Sequence, residues 1–234
     1  MTAHPSLNEC KSYVAAHLHA ASAERPPDQK QHAPALTISR EAGARGRTIG
    51  RKLADALREA EPRAEVPWTL FDENLVRQVL EDHHLPADLE KFMPDDAVGE
   101  LESSINEILG RHPSMWSLFE KTVQTIVRLT RMGHCIVVGR GGNRITRAFA
   151  NVVNVRLVGS PEQRTRQMVR ARGLDEKTAR RFIKDEDAAR RRYLKQHFDA
   201  DIDDPLDYDL VLNTDKITDD EAVRLLMTAL KERA

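Results

Sequence analysis

Five short β-prone runs, ALTIS from Ala35, VPWTLFD ending at Asp72, HCIVVGRGG, NVVNVRLVGS and YDLVLNT, alternate with helix-patterned stretches along most of the chain. Two parallel strands can be joined only by a long crossover, and helices are the usual crossover. The alternation therefore predicts an α/β fold with a mainly parallel sheet. A helix is expected from Thr48, where Ile49, Leu53, Ala56 and Leu57 recur at helical spacing, and another from Glu73 to about Glu81. Helical patterning also covers roughly 97–132, broken at Arg111-His112-Pro113, and runs from Pro161 to about Phe198. A closing helix spans Thr218 to Leu230, with Thr218 and Glu221 spaced as a capping box. Ahead of the first strand, residues 6–23 are predicted as a short helix on Leu7, Tyr13, Val14 and Leu18, followed by the proline-rich linker ERPPDQKQHAP. Residues 1–34 are thus set apart from a main domain at 35–234.

At 234 residues the chain can bury a sizeable core. Lysine plus arginine number 36 against 37 for aspartate plus glutamate, so any attraction to nucleic acid or membrane must be local. Cys10 and Cys135 make neither a disulfide framework nor a metal cluster, and the nine histidines show no HExxH spacing. No apolar run approaches a membrane span, and there is no signal-peptide pattern. A cytoplasmic protein is expected.

The turn after the first run is the first candidate site. In a Walker loop, G-x-x-x-x-G-K-[ST], backbone N–H groups cradle phosphates, a lysine reaches the outer ones and a hydroxyl meets Mg²⁺. Glu41 to Thr48 matches in part: Gly46 and Thr48 take the second glycine and the hydroxyl, Glu41 replaces the first glycine and Arg47 the lysine. Gly43 and Ala44 lie within the turn, and Arg40, Arg45 and Arg47 supply cations. Two readings fit, a phosphate cradle or a βα turn with solvated arginines. Asp72, at the end of the second run, is either a ligand for a sugar hydroxyl or base amine, with Arg77 one turn on, or a helix N-cap. Arg140 in VVGRGG stands at the ligand-facing edge of a parallel sheet, free to enter the cleft or to pair with a sheet-end carboxylate.

From Arg164 to Lys195 there are twelve Lys/Arg against five Asp/Glu. Such a region is an arginine lid over a polyanion, a nucleic-acid-binding helix, or a solvated helix pairing its charges at i,i+4. Few aromatic residues interleave the basic ones, which disfavours nucleic acid.

Assembled, LTISREAGARGRTIGRKLA, WTLFDENLVRQVLED, CIVVGRGGNRIT, FIKDEDAARRRYLK and DDPLDYDLVLNT resemble the cytidylate kinase-like family, relatives of bacterial CMP kinase among the P-loop nucleoside monophosphate kinases. The resemblance implies a five-stranded parallel sheet flanked by helices, a helical acceptor-binding insert at about 73–132 and a lid at 161–198. It implies ATP and Mg²⁺ as cofactors, with Arg40, Gly43, Ala44, Arg45, Gly46, Arg47 and Thr48 on the donor phosphates and Thr48 at the metal. Asp72, Arg77, Arg140, Lys184 and Asp187 would serve the acceptor, and Arg170 and Arg172 the lid. Arg47, Arg140, Arg172, Arg190 and Arg191 would be catalytic. In this family the loop commonly reads S-R-E-x-G-x-G-G, so the missing lysine is a family trait, while Arg45 stands at a glycine of that pattern. The implied activity is phosphoryl transfer from ATP to a nucleoside monophosphate or similar small acceptor. The alternative is a nucleotide sensor or partner-binding protein without turnover.

Overall fold

The computed structural model of the chain describes residues 33–72 and 115–233. Arg77, the helices predicted at 6–23 and 73–81 and the predicted stretch from 97 to 114 lie outside the described residues. The strands are β1 (Ala35–Arg40), β2 (Thr69–Phe71), β3 (Cys135–Val138), β4 (Val152–Val158) and β5 (Leu210–Asn213). The helices are α1 (Gly46–Ala60), α2 (Met115–Met132), α3 (Gly142–Ile145), α4 (Pro161–Arg172), α5 (Glu176–Phe198) and α6 (Asp219–Lys231).

All five strands are parallel, in the order β2-β3-β1-β4-β5. Both faces of the sheet are covered. Leu36 and Ile38 of β1 pack with Ile49 and Leu53 of α1 and Leu226 of α6, while Ala35 packs on the other face with Phe71, Val137 and Val152 and with Ile126 and Leu129 of α2. Period-2 alternation thus sends neighbouring β1 residues into two separate cores.

Several boundaries differ from the sequence expectation. β2 is shorter, with Pro67, which has no N–H for the ladder, lying before it. α1 begins two residues before Thr48, capped by Arg45 in the left-handed region. The single helical region from Pro161 is two helices: Gly173, at φ 66, ends α4, and the Asp175 carboxylate accepts from the Thr178 amide to start α5. The short α3 directly after β3 has no strong periodic signal of its own. The Thr218–Glu221 capping box is present at the start of α6.

Strand order places the site. β1 leads toward β2 at one edge and its neighbour β4 leads to β5 at the other, so the loops leaving this pair diverge at their carboxyl ends. A crevice at such a divergence is where open α/β sheets receive ligands.

Candidate active site

The loop at this crevice, Glu41 to Arg45, is a tight turn in which the Ala44 amide donates to the Glu41 carbonyl at 3.1 Å with Gly43 at φ 82. That is a type II geometry, which needs glycine at its third position. A side chain at Gly43 would also place its Cβ 2.6 Å from the Arg164 carbonyl oxygen. Among the described residues, the amides of Gly43, Gly46 and Thr48 donate to no protein acceptor. Two of them belong to the first turn of α1, where the helix dipole also favours an anion.

The segment from Arg40 to Arg47 is tied to the carboxyl end of every other strand. Arg40 Nη1 donates to the Gly139 carbonyl after β3 at 2.9 Å. Glu41 Oε2 accepts from the Gly159 amide after β4 at 2.9 Å. Arg45 Nη2 donates to the Thr214 and Ile217 carbonyls after β5 at 2.6 and 2.8 Å, while its Nη1 lies 2.8 Å from Asp219 Oδ1. Arg47 Nε lies 2.9 Å from Oδ2 of the buried Asp72 after β2. The contact is a charge pair in which the Asp72 carboxylate is almost wholly removed from water. The guanidinium groups of Arg40 and Arg45 are thus engaged with backbone carbonyls of neighbouring loops, and only the backbone of Arg45 lines the turn.

The α4–α5 hairpin holds the same loop from a third side. Asp187 of α5 accepts from the Ala42 amide at 2.7 Å, from Arg164 Nη1 at 2.5 Å and from Arg190 Nη1 at 3.2 Å. Arg164 further donates to the Ala42 and Gly159 carbonyls and pairs with Glu41. Ala42 packs with Met168, Ala179 and Ile183 of the hairpin. Asp187, expected among the acceptor-binding residues, therefore directs its carboxylate onto the loop, and Arg190 sits beside it. Lys184, Arg170 and Arg172 are exposed, with the Arg172 guanidinium stacked 4.5 Å above the Phe182 ring.

Arg140 follows β3, close enough for its charge to act on Tyr193 of α5. Burial pushes the Tyr193 hydroxyl up to about 12, with Arg140 opposing that rise. Phe198 packs on the backbone of Gly141, so the end of α5 closes over this loop. Thr48 is half-buried in the first turn of α1, two residues from Gly46.

Sequence reasoning missed a second set of polar residues on the β1–β4 face. Arg156 of β4 is buried, with Nη2 2.6 Å from Asp203 Oδ1 and Nη1 donating to Ser39 at 3.3 Å. Arg191, expected to be catalytic, reaches the other Asp203 oxygen at 3.1 Å. Burial raises the Asp203 carboxyl, but Arg191 and Arg156 outweigh it and the net shift is downward from 3.8. The signal was present in VVNVRLV, since an arginine within an interior strand must carry a partner inside with it.

A parallel sheet with a glycine-bearing loop and a helix start at its topological switch point defines a kinase-like phosphate-loop fold. Residues 35–216 match the model of the cytidylate kinase-like family, and the chain belongs to that family, a group related to phosphotransferases. No curated protein matches the chain. Among solved structures, an uncharacterized protein from Eubacterium ventriosum ATCC 27560 shares the fold at a TM-score of 0.61 and 18% identity, over 85% of this chain and 98% of its own. A shikimate kinase from Bacteroides thetaiotaomicron is a looser likeness, at a TM-score of 0.47 and 14% identity over 85% and 98%. A gluconokinase from Sinorhizobium meliloti 1021 stands at 0.45 and 12% over 86% and 93%. No described helix is long and apolar enough to cross a membrane.

Proposed function

We propose that the protein transfers the γ-phosphoryl group of ATP, with Mg²⁺, to a nucleoside monophosphate (CMP-like) or related small phosphorylated acceptor in the cytoplasm. The observation that carries this reading is the loop at the switch point, whose Gly43, Gly46 and Thr48 amides have no protein acceptor among the described residues. Phosphoryl transfer asks a protein mainly for positioning and charge neutralisation, so a braced loop beside cations suffices without a covalent residue. In this reading the loop amides hold the donor phosphates and Arg47 contributes charge beside them. Arg140, Asp72, Arg77 and Lys184 serve the acceptor, and Arg170 and Arg172 the lid over it. Arg190 and Arg191 support the transfer from α5, where each is anchored by an aspartate.

Mg²⁺ binds with few protein ligands and keeps water and substrate phosphate oxygens in its shell. Among the described residues no group of three or more His, Cys, Asp or Glu could hold a metal, and a hydroxyl such as Thr48 beside bound phosphates is the donor type that fits. When bound, the ion would neutralise phosphate charge; the chain's own share is to orient the phosphates from the loop.

A second reading, nucleotide sensing without turnover, is favoured by one contact: the arginine in the lysine's place is paired with Asp72. The two separate in a transfer assay of the purified protein with ATP, Mg²⁺ and a panel of nucleoside monophosphates. Turnover is expected, with Arg47→Ala reducing kcat by about 10²-fold, as for loss of a preorganised transition-state charge. ATP binding without turnover supports the sensor, and no binding at millimolar ATP removes both.

A further inference from the structure

Arg45 is built against its own backbone. At φ 61 and ψ 18 it occupies the left-handed region that glycine enters freely and a residue with a Cβ enters at a cost. It caps α1 without offering a side-chain hydrogen bond to that helix. Its guanidinium crosses instead to the β5–α6 turn, where one nitrogen serves the Thr214 and Ile217 carbonyls and another meets Asp219. That turn is held in its own right: the Thr214 hydroxyl donates to the Val158 carbonyl, and Asp215 accepts from the Ser160 amide at 3.0 Å. Lys52, about two turns beyond Arg45 along α1, reaches Asp219 at 3.8 Å and Asp220 at 2.8 Å, so α1 and α6 are bridged twice.

A residue kept in an unfavourable backbone must gain more from its side chain than a glycine would save. Here two carbonyl acceptors and one carboxylate charge pair on the same fork supply that gain, and the planar guanidinium is the side chain able to span them. The fork points away from the turn whose amides lack acceptors.

We infer that Arg45 is a positioning residue: it sets the geometry of the nucleotide-phosphate loop by bracing the left-handed residue before α1 against the β5–α6 turn, without touching phosphate itself. This rests on the nucleotide reading above. The brace holds Gly46 and Thr48 in register with the Glu41–Ala44 turn before ligand arrives, which lowers the ordering cost of binding.

The test uses the full chain carrying Arg45→Gly, Arg45→Lys or Asp219→Ala. In the ligand-free protein, hydrogen exchange in Arg45→Gly should accelerate at the hydrogen-bonded amides of Glu41, Ala42, Ala44 and Ile49 and of Thr214, Asp215, Lys216 and Thr218, and stay at parent rates in β3 and β4. Unchanged exchange at the loop overturns the brace. For ATP with Mg²⁺, Arg45→Gly should raise Kd and KM about tenfold with a smaller change in kcat, as for lost preorganisation. The fold-loss should be the same at 50 and 500 mM NaCl, because no ligand contact has been removed. Arg45→Lys, which can reach Asp219 but cannot span both carbonyls, should fall between glycine and the parent. Asp219→Ala should weaken ATP binding in the same direction and less than additively with Arg45→Gly. A loss that disappears at high salt, or an Asp219→Ala variant that binds ATP more tightly, would instead make Arg45 a direct phosphate ligand and overturn the inference. A parent that binds no ATP fails the nucleotide reading, and the exchange measurement still decides the brace.

Discussion

The base and the tip of the α4–α5 hairpin have nearly the same composition and opposite physics. At the base, Arg164, Asp187 and Arg190 are each less than a tenth exposed and share one network that ends on the Ala42 backbone. At the tip, Arg180 pairs with Glu176 at 2.8 Å and Arg181 approaches Asp185 at 3.6 Å, with all four side chains about half or more exposed. A buried guanidinium must keep its partner or lose its place, whereas a solvated one is indifferent to it. An arginine-rich helix pair therefore holds two kinds of residue that charge counting cannot separate. The base is fastened to the loop, so any closing movement over a ligand falls to the segment beyond about Arg170.

The comparison is tested most severely at Asp187. Asp187→Ala leaves two buried arginines without their shared carboxylate, and unfolding in urea should show a loss of about 3–5 kcal/mol. On the proposed nucleotide-binding reading, protection of the loop by ATP should vanish with it. A variant close to the parent would mean that the base is as dispensable as the tip.

Asp203 is the intermediate case, because one oxygen meets the buried Arg156 and the other the exposed Arg191. Its carboxyl is lowered from 3.8 in the folded state, so it stabilises the fold above that value and the contribution is lost as pH falls through the lowered one. Stability of the parent relative to Asp203→Asn should differ on the order of 1 kcal/mol at neutral pH, kept small because solvent screens a half-exposed carboxylate. The difference should shrink as the pH drops below 3.8. A difference that grew toward acid would reverse the sign of the pairing.

The smallest effect belongs to the tip. Arg180→Ala removes an exposed i,i+4 pair and should change stability by no more than about 0.5 kcal/mol. A loss of several times that size, read from the same urea curves, would erase the contrast between the two ends.

Much of the architecture was legible because it rests on local periodicity. The five runs of β-prone residues and the helical spacing of Ile49, Leu53 and Leu57 fall on strands and helix as expected, and the capping box at Thr218 is a contact between neighbours in sequence. The break between α4 and α5 was also written locally, in Gly173 and Asp175, but the continuous charge pattern obscured it. The loop itself was found through its partial resemblance to a phosphate-binding pattern. The partners of its arginines were not, since Arg45 meets residues 169 and 172 positions away and Arg40 a carbonyl 99 positions away.

The sequence by itself determined which segments are strand or helix and which loop carries glycines at a strand end, because backbone geometry and apolar period depend on residues a few positions apart. Strand order, which sets β4 between β1 and β5, and the packing that hands Arg45 to Thr214 and Asp187 to Ala42 were decided only in the tertiary structure. A charged side chain can be placed in solvent, in a lid or in a buried clamp at equal cost to local sequence. Only the partner it meets after packing, and the water it loses there, selects among them.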